Sequence, residues 1–223
     1  MFTFGQNISK CIKKLRGKMM VEFQFLDKRV KRTKRDFYNS LFELLKEKKY
    51  EQITVKDIID FAGYSRGTFY THYKQKDDLL NEIIHSLFKE ASKAQRSSYI
   101  NERLINVQTL GNEPIFILRH FKQYGEYYKI LLGENIQIDF HHKLTNMFVN
   151  LYLEDFDMEH PPDSNIDQNL LNKYYAYGLI GLILDWVNAD FPIEPEEFSK
   201  ELIKIFKFSL GTIQINRKNY TDN

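Results

Sequence analysis

Apolar residues in this chain recur at three- and four-residue steps through most of its length, and no run of Val, Ile and Thr alternates at period two. Helices are what such spacing can bury, so the expectation is an all-α fold. Gly and Pro are scarce, 10 and 5 among 223 residues, and punctuate the pattern at few places. Phe37, Leu41, Leu44 and Leu45 form the first stripe, on a helix that begins with Lys31, Arg32, Lys34 and Arg35 and ends near Lys49. Thr54 stands where a cap belongs before Val55, Ile58, Ile59 and Ala62, and Gly63 closes that short helix. Ser65 caps a second short helix over residues 66–73, and Gln75-Lys76-Asp77 opens a longer one carrying Leu79, Leu80, Ile83, Ile84, Leu87 and Phe88.

The helical signal weakens after Ser97 and restarts at Asn112-Glu113-Pro114. Gly125 and Gly133 break the next stretch into short helices, and longer ones are expected at about residues 136–156, 168–189 and 196–216. Residues 157–167, with Pro161-Pro162, read as a loop, and Phe191-Pro192-Ile193-Glu194-Pro195 as a connection.

The net charge of +2 conceals a split. Residues 1–76 carry 18 Lys+Arg against 8 Asp+Glu, and residues 77–223 carry 14 against 22. A basic front and an acidic back point to a polyanionic partner for the front alone. Cys11 is the single cysteine, so no intramolecular disulfide can form and a reducing cytoplasm fits best. The longest uncharged apolar run, Tyr174 to Leu184, has 11 residues, short of a bilayer span. The first 26 residues alternate apolar and basic positions without the features of a signal peptide. They read as an extension, upstream of a true start at Met19 or Met20, or as a basic arm on phosphates or a membrane surface.

Two short helices joined at Gly63-Tyr64-Ser65 after a longer one are what a helix-turn-helix requires. Arg66, Thr68, Tyr70, Thr71 and His72 make the second helix polar on one side, while Phe69 and Tyr73 face inward. Gly67 keeps its start slim, so that backbone can approach DNA. Thr54, Lys56 and Lys76 flank it at helix starts, where backbone N–H groups and the helix dipole favour phosphate.

The segment from Thr54 through Val-Lys-Asp-Ile-Ile-Asp-Phe-Ala-Gly-Tyr-Ser-Arg-Gly-Thr-Phe-Tyr-Thr-His-Tyr-Lys-Gln-Lys-Asp-Asp to Leu79 resembles the DNA-binding segment of the tetracycline-repressor (TetR) family of bacterial regulators. The resemblance implies that Arg66, Gly67, Thr68 and Thr71 face base edges. It implies that Lys56, Tyr70, His72 and Lys76 lie at phosphates, with Thr54 contacting phosphate as it caps its helix. Three positions depart from the family pattern: Ile59 stands where Ala is common, Tyr64 where Val or Ile is common, and Tyr73 where Phe is common. Arg66 has an alternative partner in Asp60 or Asp77.

A regulator of this shape reads two half-sites as a homodimer on a palindromic duplex. The expected interface is the last helix pair, around Gly178, Gly181, Leu182, Phe206 and Leu210, and the resemblance implies a four-helix bundle formed by two such pairs. The region between head and interface is rich in aromatic and polar residues, as a small-ligand pocket would be. Its candidates are Phe116, Arg119, His120, Tyr124, Tyr127 and Tyr128, with Tyr174, Tyr177 and Trp186 further on; ordinary core packing is the other reading. His141 and His142 are adjacent, point different ways on a helix and do not make a metal pair. Tyr127 to Gly133 with Gly178 to Trp186 is similar to a subgroup of the family that includes activators of dihydroxyacetone-kinase genes, some of which bind a protein in place of a small molecule.

The expected organisation is therefore a basic extension at 1–27, a DNA-binding head at 28–76, an effector-binding and dimerisation body at 77–216, and a tail at 217–223. The expected function is a sequence-specific double-stranded-DNA-binding regulator, a repressor released by an effector. The alternatives are an activator or co-regulator governed by a protein partner, or a helical protein held at a membrane surface by residues 8–26. No Gly-rich phosphate loop, nucleophile elbow or His-Glu-x-x-His occurs, so neither an enzyme nor a cofactor is expected.

Overall fold

A computed structural model describes residues 27–99, 102, 104–110, 116–136, 139–158, 165–209 and 212–215. The expected extension up to residue 26, the Pro161-Pro162 stretch, Leu210 and the tail at 217–223 lie outside them. The described helices are α1 (Lys28–Glu47), α2 (Val55–Ala62), α3 (Arg66–His72), α4 (Lys76–Ser97), α5 (Phe116–Gln123), α6 (Gly125–Leu132), α7 (Phe140–Asp155), α8 (Gln168–Asn188) and α9 (Pro195–Ser209). Three short strands join them, β1 (Leu104–Asn106), β2 (Phe156–Met158) and β3 (Thr212–Ile215).

Two compact units result. One holds the described residues up to Glu90 together with those between Gln123 and Ile138, so the expected boundary after Lys76 falls one residue into α4. Its core is Phe37, Tyr38, Leu41, Leu45, Ile58, Phe69, Leu79 and Ile83, all buried. Within this unit α6 returns to α1, with the Tyr127 ring edge-on to Phe42 at 4.3 Å and the Asn135 amide donating to the Leu45 carbonyl at 2.9 Å.

The other unit holds Ala91–Lys122 and the chain from Asp139 on. Here α8 packs on α7, around Phe121, Phe140, Leu144, Phe148, Ile183 and Val187. Asp155 is fully buried at the end of α7. It accepts two hydrogen bonds from the Arg96 guanidinium, at 2.9 and 3.1 Å, and one from the Tyr99 hydroxyl at 2.8 Å. A buried carboxylate needs such a full set of donors to replace the water it has lost.

The last helix does not reach residue 216, as the periodicity suggests, but stops at Ser209, and β3 comes next as the central strand of a three-stranded antiparallel sheet in the order β1-β3-β2. Leu104 pairs with Gln214 on one side of β3, and Phe156 with Ile215 on the other. Three of the four β3 residues, Thr212, Ile213 and Ile215, are β-branched, and both edges of the strand find partners.

Candidate nucleic-acid interface

Both ends of α2 and the start of α3 are closed by local chemistry. The Thr54 hydroxyl accepts from the Asp57 N–H at 3.1 Å, and the Asp57 carboxylate accepts from the Thr54 N–H at 2.8 Å, a reciprocal capping box. Those bonds hold the Asp57 carboxyl below its ordinary pKa. Gly63 ends α2 at φ +72°, in the left-handed region where a side chain is strained. Ser65 then caps α3 by accepting from the Thr68 N–H at 3.2 Å.

Phe69 is the buried residue of α3, and its ring meets Phe37 edge-on at 5.3 Å and Tyr73 at 5.5 Å. Everything else on this seven-residue helix faces outward to some degree. Arg66, Gly67, Tyr70 and Thr71 are exposed, and Thr68 and His72 are half-buried. The Arg66 guanidinium lies over the Tyr70 ring, 5.5 Å from its centre, and not beside Asp60 or Asp77. The Thr71 hydroxyl donates to the Gly67 carbonyl at 2.9 Å. A Cβ added at Gly67 would meet only the Ser65 hydroxyl, at 3.8 Å, an ordinary contact. The protein's own packing therefore does not demand glycine there. Burial first, and then the Lys34 ammonium, lower the pKa of His72 below its ordinary value, which favours the neutral ring.

Thr54 and Lys56 are exposed at the start of α2, on the head that carries α3. Lys76 is half-buried, with its ammonium on backbone carbonyls of the turn before Thr54. Sequence reasoning missed the carboxylates beneath. Glu82 of α4 accepts from the Tyr38 hydroxyl, from the Tyr73 hydroxyl at 3.1 Å and from the Lys34 ammonium at 2.7 Å, joining α1, the end of α3 and α4 at one carboxylate. Asp36 likewise accepts from the Tyr64 hydroxyl at 3.0 Å. Two of the departures from the family pattern, Tyr64 and Tyr73, thus each carry a hydroxyl that finds a carboxylate.

The proposed pocket residues fall in both units. Tyr124, Tyr127 and Tyr128 are buried on or beside α6 in the first. In the second, Arg119 is exposed, pairs with Glu196 at 2.8 Å and stacks on Phe116. Trp186 is buried, donating to the Ile193 carbonyl at 2.9 Å, whereas Tyr174 (69%) and Tyr177 (50%) are exposed on α8. His120 is buried, and burial depresses its pKa from 6.5 to about 4. The unfolded chain therefore takes up a proton that the folded one refuses, and stability falls as pH drops from 6.5 towards 4. We expect His120→Gln to remove about 2 kcal/mol of that acid sensitivity between about pH 7 and about pH 4.5. Denaturant titrations of both proteins at about pH 7 and about pH 4.5 check this, and parallel losses would refute it.

On α8, Leu170, Tyr174, Tyr177 and Leu182 are exposed on the side that also carries Gly178 and Gly181, at each of which an added Cβ would meet nothing within 4 Å. On α9, Phe206 is half-buried, Ile205 is exposed and Phe208 is 95% exposed.

A capped bihelical unit whose second helix is anchored by one buried ring and otherwise turned outward defines a helix-turn-helix reading head, here with a helical body. The profile described as "Bacterial regulatory proteins, tetR family" matches residues 39–83, and that described as "Transcriptional regulator C-terminal region" matches residues 114–208. The chain belongs to the TetR family. It is similar to the uncharacterized HTH-type transcriptional regulators YxbF (27% identity, 73% of this chain) and YwcC (28% identity, 45% of this chain), both of Bacillus subtilis strain 168. It spans 42% and 58% of the length of these two relatives. Its fold is similar to that of the dihydroxyacetone kinase operon activator DhaS, with a TM-score of 0.55 at 19% identity over 80% of this chain and 96% of that one. Among the described residues, no helix is long and apolar enough to cross a membrane.

Proposed function

We propose that the protein is a cytoplasmic transcriptional regulator that binds a palindromic operator as a homodimer and leaves it, as a repressor, when an effector binds. The observation that carries this reading is α3, whose one buried ring fixes it to the head while the rest of the helix is turned outward. In this reading Arg66, Gly67, Thr68 and Thr71 face base edges. Thr54 and Lys56 at the start of α2, with Tyr70 and His72 on α3, supply contacts to the flanking phosphates. The exposed apolar side of α8 supports the dimer, because a monomer gains nothing by leaving Leu170, Tyr174 and Tyr177 in water, and the two glycines allow a second helix to approach. Two such heads read half-sites separated by about 34–36 Å, one turn of the duplex, or a multiple of it.

Selection of duplexes from a random pool by the purified protein tests this. Inverted repeats are expected, bound with an affinity that falls steeply with salt as counterions are released. Gly67→Ala is expected to weaken binding at least tenfold while changing stability by no more than about 1 kcal/mol, since the added methyl meets no clash inside the protein. Equal affinity of the Ala variant for the selected duplex would remove α3 from the groove.

A further inference from the structure

The resemblance assigns Lys76 a phosphate contact, yet its ammonium is occupied inside the head. Nζ donates to the Tyr50 carbonyl at 2.6 Å and to the Ile53 carbonyl at 2.8 Å, with the Glu51 carbonyl at 3.5 Å. It lies 4.3 Å from the centre of the Tyr50 ring. An ammonium has three protons, and here each has a carbonyl to point at. All three carbonyls belong to the single turn, Tyr50–Gln52 and its cap Ile53, that delivers the chain to Thr54. The same turn is held at two further points: the Tyr50 hydroxyl donates to Asp77 at 3.0 Å, and the Tyr50 N–H donates to the Asn135 carbonyl at 2.7 Å. Tyr50 and Ile53 are themselves buried. A lysine that swung out to a phosphate would leave their carbonyls without this donor, whereas Lys56 is exposed on the first turn of α2.

We propose that Lys76 is a positioning residue of the DNA interface: it gathers the carbonyls of residues 50–53 and so sets where the capped start of α2 meets phosphate, without neutralising a phosphate itself. This rests on the reading that α2 and α3 bind DNA, and the two can fail separately.

The measurement is affinity for the selected duplex across a salt series, using the full chain with the folded fraction determined by circular dichroism. Removing a phosphate contact flattens the slope of log K against log salt by about 0.9. Lys56→Met is expected to do so. Lys76→Met is expected to lose about tenfold in affinity with an unchanged slope. Lys76→Arg, which keeps the charge and binds phosphate well but replaces the point-like ammonium with a planar fork, is expected to lose affinity at unchanged slope too, and it serves if the Met variant does not fold. A flattened slope for Lys76→Met, full affinity for Lys76→Arg, or undiminished affinity of the folded Met variant would each overturn the assignment. If the wild-type protein selects no duplex, the DNA-binding reading itself falls and this inference falls with it.

Discussion

Phe69→Ala is expected to melt the reading head well below the wild-type temperature and to abolish the proposed operator binding above that point. The ring is fully buried against Phe37 and Tyr73, and α3 is only seven residues long, too short to stay helical without an anchor. Truncating a buried phenylalanine costs about 3–5 kcal/mol, a large part of the roughly 5–15 kcal/mol that holds a typical domain together. For a unit of this size that corresponds to a fall of about 15 °C or more in the midpoint. Thermal melts and hydrogen exchange of the α3 amides read it out. A shift below about 5 °C would mean that α3 is held by something other than this ring.

Asp155→Ala should do comparable damage to the other unit. It removes the acceptor of three hydrogen bonds and leaves the Arg96 guanidinium without its bidentate carboxylate. Breaking such a buried pair costs about 3–5 kcal/mol. Glu154 offers the control, since it reaches the same guanidinium at 3.3 Å from an exposed position, and Glu154→Ala should cost less than about 1 kcal/mol. Equal losses for the two variants, measured by denaturant unfolding, would show that burial is not what gives the Asp155 pair its strength.

The helical frame was open to sequence reading because its signals are local. The helix expected at 168–189 is found at Gln168–Asn188, where Asp167 caps its start and a nearly continuous apolar run carries it to the end. Thr54, Gly63 and Ser65 mark the ends of the head's short helices for the same reason, each acting on backbone groups within a few residues. The sheet was hidden because a three-residue strand has no period to detect, and the residues that make β1 a strand lie at the far end of the chain. Glu82 was hidden in another way. Placed between Leu80 and Ile83, it looks like any outward position of α4, and only folding brings the Tyr38 and Tyr73 hydroxyls to it. One signal did point there. A tyrosine standing where phenylalanine is common carries a hydroxyl into a core, and a buried hydroxyl calls for an acceptor. The proposed pocket was harder to read, because an aromatic residue at helical spacing looks the same whether it ends buried like Tyr128 or exposed like Tyr174.

The central place of β3 bears on the order of assembly. Among the described residues, β1 and β2 are not paired with each other, and each bonds to β3, the last of the three to be made. On the ribosome the capped helices of the head can form early, from contacts close in sequence. The sheet must wait, with two short unpaired edges open, until the strand that joins them has emerged, which makes closure of this unit a late and entropically costly loop-closing event.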